Sequence, residues 1–220
     1  MPGRVGIYAA QPCPYVASLL HLNQSPFTDV QGRTVTNVGG VTTDATNTRF
    51  GDKTALFNGT SGYLDVAGRI SLPRDFTLQG WSYLTDTTQP NLVSPYRTVC
   101  ELGGLGILLR SYHAANSQVY VNGTHVGNVT ADWFGPSVWN YFVLNRSGNT
   151  VQFYTNGALR FSYNATNLGT VTGDLLTIGR SQHNGISQFW KGNLADIRIV
   201  KDAALDGTQV PTQPFAVALT

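Results

Sequence analysis

With 220 residues, 41% of them hydrophobic and only 12% charged, the chain is long enough to bury one substantial core and is expected to form a single large domain. Its 14 Lys and Arg against 12 Asp and Glu, with no basic cluster, leave no electrostatic footprint for a phosphate backbone, which argues against nucleic acid as a partner. No window holds the roughly 18 consecutive apolar residues of a membrane span, and 24 glycines with abundant Thr, Asn and Ser describe a surface built on neutral polar groups.

Residues 1–15 read as an arm: Val5 to Ala10 suits a short strand, but Pro12 and Pro14 bracket Cys13 and forbid regular pairing there. The first residues carry no sustained apolar core, so no secretory signal is read and the mature chain is expected to begin near Met1. Such an arm either stays loosely ordered or docks on a neighbouring subunit. Val16 to Asn23 opens the domain as an apolar strand, and Gly62 to Val66 is another. In the run Asp75 to Leu84, a period of two places Phe76, Leu78 and Leu84 on one face and Trp81 and Tyr83 on the other. Arg97 to Leu102 and Ile107 to Tyr112 pair around a glycine cluster, Gly103, Gly104 and Gly106. That cluster is no phosphate loop, because neither Lys-Ser/Thr nor a helix signal follows it.

Gln118 to Val121 and Thr124 to Val126 flank Asn122-Gly123, and Val151 to Thr155 and Leu159 to Ser162 flank Asn156-Gly157. Both pairs predict type I′ hairpin turns, since Asn and Gly tolerate positive φ. Between them Trp139 to Arg146 is an apolar strand, and Leu175 to Gly179 is a later one. Phe189 to Val200 follows, with Ala195, Ile197 and Ile199 alternating against Leu194, Asp196 and Arg198 as a half-buried strand. A turn near Asp202 to Leu205 and a Pro-rich tail close the chain. A dozen or more short strands at this spacing, with little room for helix, predict an all-β fold.

Little in the sequence supplies chemistry. The four histidines, His21, His113, His125 and His183, are scattered with no metal-ligand spacing, and no Gly-x-Ser-x-Gly elbow occurs. Cys13 and Cys100 are expected as two unpaired thiols of a protein made in a reducing cytosol, the other reading being a bridge closing a long loop. The Asn-x-Ser/Thr sequons at Asn23, Asn58, Asn122, Asn128, Asn145 and Asn164 read as a by-product of Asn-rich turns rather than glycosylation sites.

Several stretches resemble one family. Leu19 to Asn23, Arg49-Phe50-Gly51, Ala55 to Gly59, Phe76-Thr77 with Trp81, Trp139 through Arg146-Ser147-Gly148 to Phe153 with Asn156-Gly157, Leu176 to Gly179, Phe189 to Val200 and Pro211 to Phe215 are similar to the laminin-G-like, concanavalin A-like jelly rolls found in bacteriophage virion proteins. The resemblance covers residues 16 to 215. It implies a jelly-roll β-sandwich of two antiparallel sheets at 16–206, behind an N-terminal arm at 1–15 and before a C-terminal tail at 207–220. It further implies a non-catalytic virion structural or adhesion protein, a capsid decoration or tail-fibre component made in the host cytoplasm. Other capsid or tail proteins would be its partners, it would form a homo-oligomer, and the arm and Pro-Phe tail would be its assembly contacts. The alternative is a lectin that binds host surface glycans.

The same jelly roll carries glucanases with Glu-x-Asp-x-x-Glu on the active strand. Here Glu101 is the single glutamate, so the chain is expected not to be an enzyme. Many relatives hold a structural calcium beside the aspartate equivalent to Asp196, and Asp196 with Asp65 and backbone carbonyls are the candidate ligands. Asn23 in place of the family's Asp favours Asp196 as a bracing carboxylate, and no cofactor is otherwise expected. Trp139 and Trp190 occupy positions where relatives bury an aromatic in the core. Trp81, Tyr83 and Trp133 then remain as candidates for stacking on a saccharide.

Overall fold

Turn chemistry fixes where the strands reverse. Asn122 and Gly123 take φ of 49° and 75°, and Asn156 and Gly157 take 49° and 79°, so both Asn-Gly pairs form the two-residue turns whose twist matches that of the flanking strands. The computed structural model describes residues 15–85, 96–112, 117–129, 134–181 and 186–218. In chain order the strands are β1 (Tyr15–Leu20), β2 (Val35–Val38), β3 (Thr42–Arg49), β4 (Asp52–Asn58), β5 (Tyr63–Leu72), β6 (Phe76–Leu84), β7 (Tyr96–Leu102), β8 (Ile107–Tyr112), β9 (Ser117–Val121), β10 (Thr124–Val129), β11 (Trp139–Ser147), β12 (Thr150–Thr155), β13 (Ala158–Asn164), β14 (Val171–Ile178), β15 (Arg180–Ser181), β16 (Gln188–Phe189) and β17 (Lys191–Lys201).

The first sheet runs β13-β12-β11-β6-β17-β4-β3, with β1 also on β17; the second runs β10-β9-β8-β7-β14-β5-β2, and β15-β16 is a small ribbon. The strands of both sheets pair antiparallel, giving the two-sheet sandwich. One continuous core lies between the sheets. Leu64, Val66, Leu102, Leu109 and Ile178 meet Phe57, Leu78, Phe142, Phe153 and Trp190 there. Trp190 is fully buried, with Phe134 edge-on at 5.8 Å, as the resemblance implied. Cys100 is a free thiol in this core, and burial pushes its pKa up to about 12; Cys13 and the rest of the arm through residue 14 lie outside the described residues.

Strand β17 organises the first sheet. One side pairs with β6, and on the other side the partner changes: Lys191 to Leu194 pair with β4, then Ile197 to Lys201 pair with β1. The change falls on a bulge at Asp196, whose φ is 47°. This bulge breaks the alternation expected from sequence. Leu194, Ile197 and Ile199 all face the core, whereas Ala195 faces outward, because the extra residue shifts the pleat by one position. Asp196 N donates to the His21 carbonyl at 3.2 Å, and its carboxylate lies 2.6 Å from His21 Nδ1. The aspartate thus pins the end of β1 at the point where β17 changes neighbours.

The C-terminal tail folds back rather than projecting. Thr77 Oγ1 donates to the Ala203 carbonyl at 3.0 Å and accepts from Leu205 N at 2.8 Å, while Asn145 Nδ2 donates to the Leu205 carbonyl at 2.8 Å. Further on, Phe215 is buried against Tyr141 at 6.4 Å beneath the Arg198 guanidinium at 4.3 Å. Its apolar side chain satisfies itself on the chain's own sheet, so the tail is not the free assembly contact that the resemblance implied.

Candidate functional site

The outer face of the first sheet is unusually aromatic, and its cross-strand rows can be read from the register. One row runs Tyr141–Trp81–Ala195 and the next Tyr154–Val143–Gln79–Arg198–Leu19. Tyr141, Trp81, Ala195, Val143, Gln79 and Leu19 in these rows are buried, and Tyr154 and Arg198 are half-buried. Trp81 is only 3% exposed, with the Arg49 guanidinium 3.5 Å from its ring centroid, Phe50 edge-on at 5.6 Å and Tyr141 at 5.0 Å. Burial lowers the Arg49 pKa, and Asp196 partly restores it. Arg198 Nε donates to the Gln79 amide oxygen at 2.7 Å, and the Gln79 amide nitrogen donates to the Tyr141 hydroxyl at 2.5 Å. The tip of the β3–β4 hairpin and the tail therefore occupy the area above Trp81.

The aromatics of the third row are half-buried among the described residues. Trp139, Tyr83 and Asn193 are cross-strand neighbours at the other end of the same strands. Trp139 and Tyr83 are both half-buried, with centroids 5.5 Å apart and planes inclined by 56°. Their positions are braced from behind. Ser137 N donates to the Leu84 carbonyl at 2.8 Å, and Asn140 Nδ2 donates to the carbonyls of Gly135 and Val138 at 2.9 and 3.1 Å. Gly192, at φ 136°, lets β17 pass so close to β6 that a Cβ there would strike the Tyr83 carbonyl.

A polar rim adjoins the pair. Asn193 Nδ2 donates to Asp44 Oδ2 at 2.9 Å and Thr54 Oγ1 at 3.0 Å, and Asn47 Nδ2 donates to Asn193 Oδ1 at 3.2 Å. Burial would raise the Asp44 pKa, but hydrogen bonds from Thr46 N, Asn193 and Asn47 outweigh it and hold the carboxyl below its usual range. Asp44 and Asn47 are half-buried. Two aromatic faces beside a fixed carboxylate and amide can take the C–H face of a sugar ring and accept from its hydroxyls.

Of the aromatics singled out in sequence, Tyr83 lies in this half-buried pair, Trp81 lies beneath Arg49, and Trp133 lies outside the described residues. Trp139, expected in the core, is instead on the outer face. The strand Trp139 to Arg146 has large apolar residues on both faces, so alternation alone does not orient it. Its register with β6, which sets Trp139 opposite Tyr83, does.

The two candidate calcium ligands do not converge. Asp65 faces out of the second sheet, between the core residues Leu64 and Val66, and accepts from Thr177 Oγ1 at 2.7 Å. Asp196 sits on the outer side of the first sheet beside His21. The thickness of the sandwich, about 10 Å between sheets, separates them, so one ion cannot bridge both. Among the described residues, no three His, Cys, Asp or Glu side chains gather as a metal site.

This architecture defines a concanavalin A-like, all-β sandwich. The family model of the concanavalin A-like lectin/glucanase superfamily matches residues 58–210, and the chain belongs to that superfamily. A search of the curated proteins returned no match. Among solved structures, the binding domain of botulinum neurotoxin serotype D is similar at a TM-score of 0.65 and 12% identity, over 88% of this chain and 49% of that one. The type C neurotoxin structure described as entering cells through two ganglioside molecules aligns at 0.60 and 12% identity, over 88% and 49%. Domain 4 of an extracellular arabinanase from Geobacillus stearothermophilus, solved with arabinotriose, aligns at 0.62 and 13% identity, over 89% and 96%. The chain spans about half the length of the neurotoxin binding domains it matches.

These findings overturn the virion assignment. The matched structures are receptor-binding domains and a sugar-bound module, so a phage particle as location, capsid or tail proteins as partners and the oligomer inferred with them are withdrawn. The motifs quoted for that assignment are the marks of the sandwich, and many proteins outside phages share it. With Glu101 as the single glutamate, the Glu-x-Asp-x-x-Glu arrangement of the glucanases does not occur in the chain.

Proposed function

We propose that this chain is a carbohydrate-binding module that holds a saccharide across Tyr83 and Trp139, with Asp44 and Asn47 at the rim. The observation that carries the reading is the half-buried Tyr83–Trp139 pair, set beside Asp44 and Asn47 on a face where Trp81, Tyr141 and Phe215 are buried. Superfamily membership supports it, as do the arabinotriose-bound domain and the ganglioside-dependent neurotoxin among the structural neighbours. The test is calorimetry and array binding of the full chain against arabino-oligosaccharides and ganglioside head-group oligosaccharides. Binding is expected for at least one series and is expected to vanish in Trp139→Ala while the circular dichroism spectrum is unchanged. An array and calorimetry without any bound saccharide would end the proposal.

A further inference from the structure

The end of the sandwich opposite Trp139 carries a cleft of about 310 Å³. It lies roughly 23 Å along β11 from Trp139, counted at the rise of a strand from Trp139 to Arg146. Arg74 and Asp75 from the β5–β6 turn, Arg146, Gly148 and Asn149 from the β11–β12 turn, and Asp202 just past β17 line it. The walls are fixed. Arg146 is 7% exposed and donates through Nε to the Gly148 carbonyl at 2.9 Å and through Nη1 to the Gly169 carbonyl at 2.6 Å. Gly148 N in turn donates to Asp75 Oδ1 at 2.7 Å, and Asp202 N donates to the Asp75 carbonyl at 2.8 Å. The Arg146-Ser147-Gly148 stretch noted in the sequence thus builds one wall.

One group in this frame is unsatisfied. Asp202 holds a left-handed backbone, with φ 62°, and its Oδ1 is shut from solvent with no hydrogen-bond partner among the described residues. A buried carboxylate oxygen without a donor is costly. Asp202 lines the cleft and the terminal torsion of aspartate is soft, so a donor held in the cleft can satisfy this carboxylate.

The lining decides what kind of donor. Two arginines repel a metal cation, and two aspartates repel phosphate or another simple anion, so the four charges balance. A ligand that fits both signs donates to Asp202 and accepts from Arg74 through neutral groups, as adjacent hydroxyls of one ring do. The cleft volume matches the small end of ligand pockets. We propose that this cleft is a second saccharide subsite that binds one pyranose unit, with Asp202 and Asp75 as hydroxyl acceptors and Arg74 as donor. It goes beyond the Tyr83–Trp139 reading and is independent of it.

The experiment is an amide ¹H–¹⁵N titration of the full chain with D-glucose, D-galactose, L-arabinose and N-acetyl-D-glucosamine, and separately with calcium chloride and glycine. At least one sugar is expected to move the Gly148, Asn149 and Asp202 amides saturably. Asp202→Asn keeps a residue that tolerates positive φ, and Arg74→Ala alters an exposed side chain, so neither removes a core contact. Each is expected to weaken the response about tenfold or more, the effect of losing one charge-assisted hydrogen bond, whereas Trp139→Ala leaves it unchanged. No sugar moving these amides overturns the subsite, as does a response to calcium or to glycine in place of the sugars. Silence at Tyr83 and Trp139 with movement at the cleft would fail the first site alone, and the converse would fail the second alone.

Discussion

Replacing Trp81 by alanine separates a structural aromatic from a binding one. The indole is 3% exposed and packed by Arg49, Phe50 and Tyr141. Burying about 200 Å² of such a ring at ~25 cal/mol/Å² is worth about 5 kcal/mol. Against this, its Nε1 is buried without a partner among the described residues, so truncation relieves a penalty of about 1 kcal/mol. Partial collapse of Phe50 and Arg49 into the space recovers some of the remainder. A net loss of about 3 kcal/mol follows, within the usual range for a buried tryptophan truncation, and it lowers the melting temperature by roughly 6–12 °C for a domain of this size. Thermal and urea unfolding followed by circular dichroism measure it. Saccharide affinity of the folded fraction is expected to stay within about twofold of the parent, because a difference that small is below ~0.5 kcal/mol. An unchanged melting temperature together with lost binding would refute the reasoning, for it would put the sugar on Trp81.

Two further outcomes test the frame around the Tyr83–Trp139 pair. Gly192→Ala places a methyl against the Tyr83 carbonyl, Thr85 N and the Leu84 backbone at a φ of 136°. Backbone rather than flexible side chain must yield, so a loss of about 3 kcal/mol or more is expected in urea unfolding, with saccharide binding weakened in whatever folds. The second outcome is a pH dependence. The His21 pKa is raised above its usual 6.5 by the hydrogen bond to Asp196, with burial opposing. A raised folded-state pKa gives stabilisation that is complete below about 6.5 and fades as pH rises through the folded value. The melting-temperature gap between the parent and His21→Asn is therefore expected to shrink from about pH 5.5 to about pH 9, and a gap that widens over that range would contradict the assignment.

The sequence by itself determined the architecture. Strand periodicity, the two Asn-Gly turns and the apolar run through Phe189 to Val200 each report a local preference, and local preferences suffice to specify an all-β chain of short strands. The two antiparallel sheets and the buried Trp190 were legible through the family resemblance. Local preferences also placed Trp81 and Tyr83 together on the side of β6 away from the core. Only the tertiary structure decided which of these is buried, because the atoms that cover Trp81 come from Arg49 and Phe50, some thirty residues earlier, and Phe215, far later, belongs to the same cover. Side-chain alternation cannot anticipate cover contributed by a distant segment. The same holds for the other differences. Trp139 is oriented by its register with Tyr83 rather than by its own strand, the bulge at Asp196 sends Leu194 and Ile197 to the same face, and Asp65 and Asp196 are parted by the thickness of the sandwich. Each depends on pairing between strands remote in sequence, and such pairing exists only once the sheets have formed.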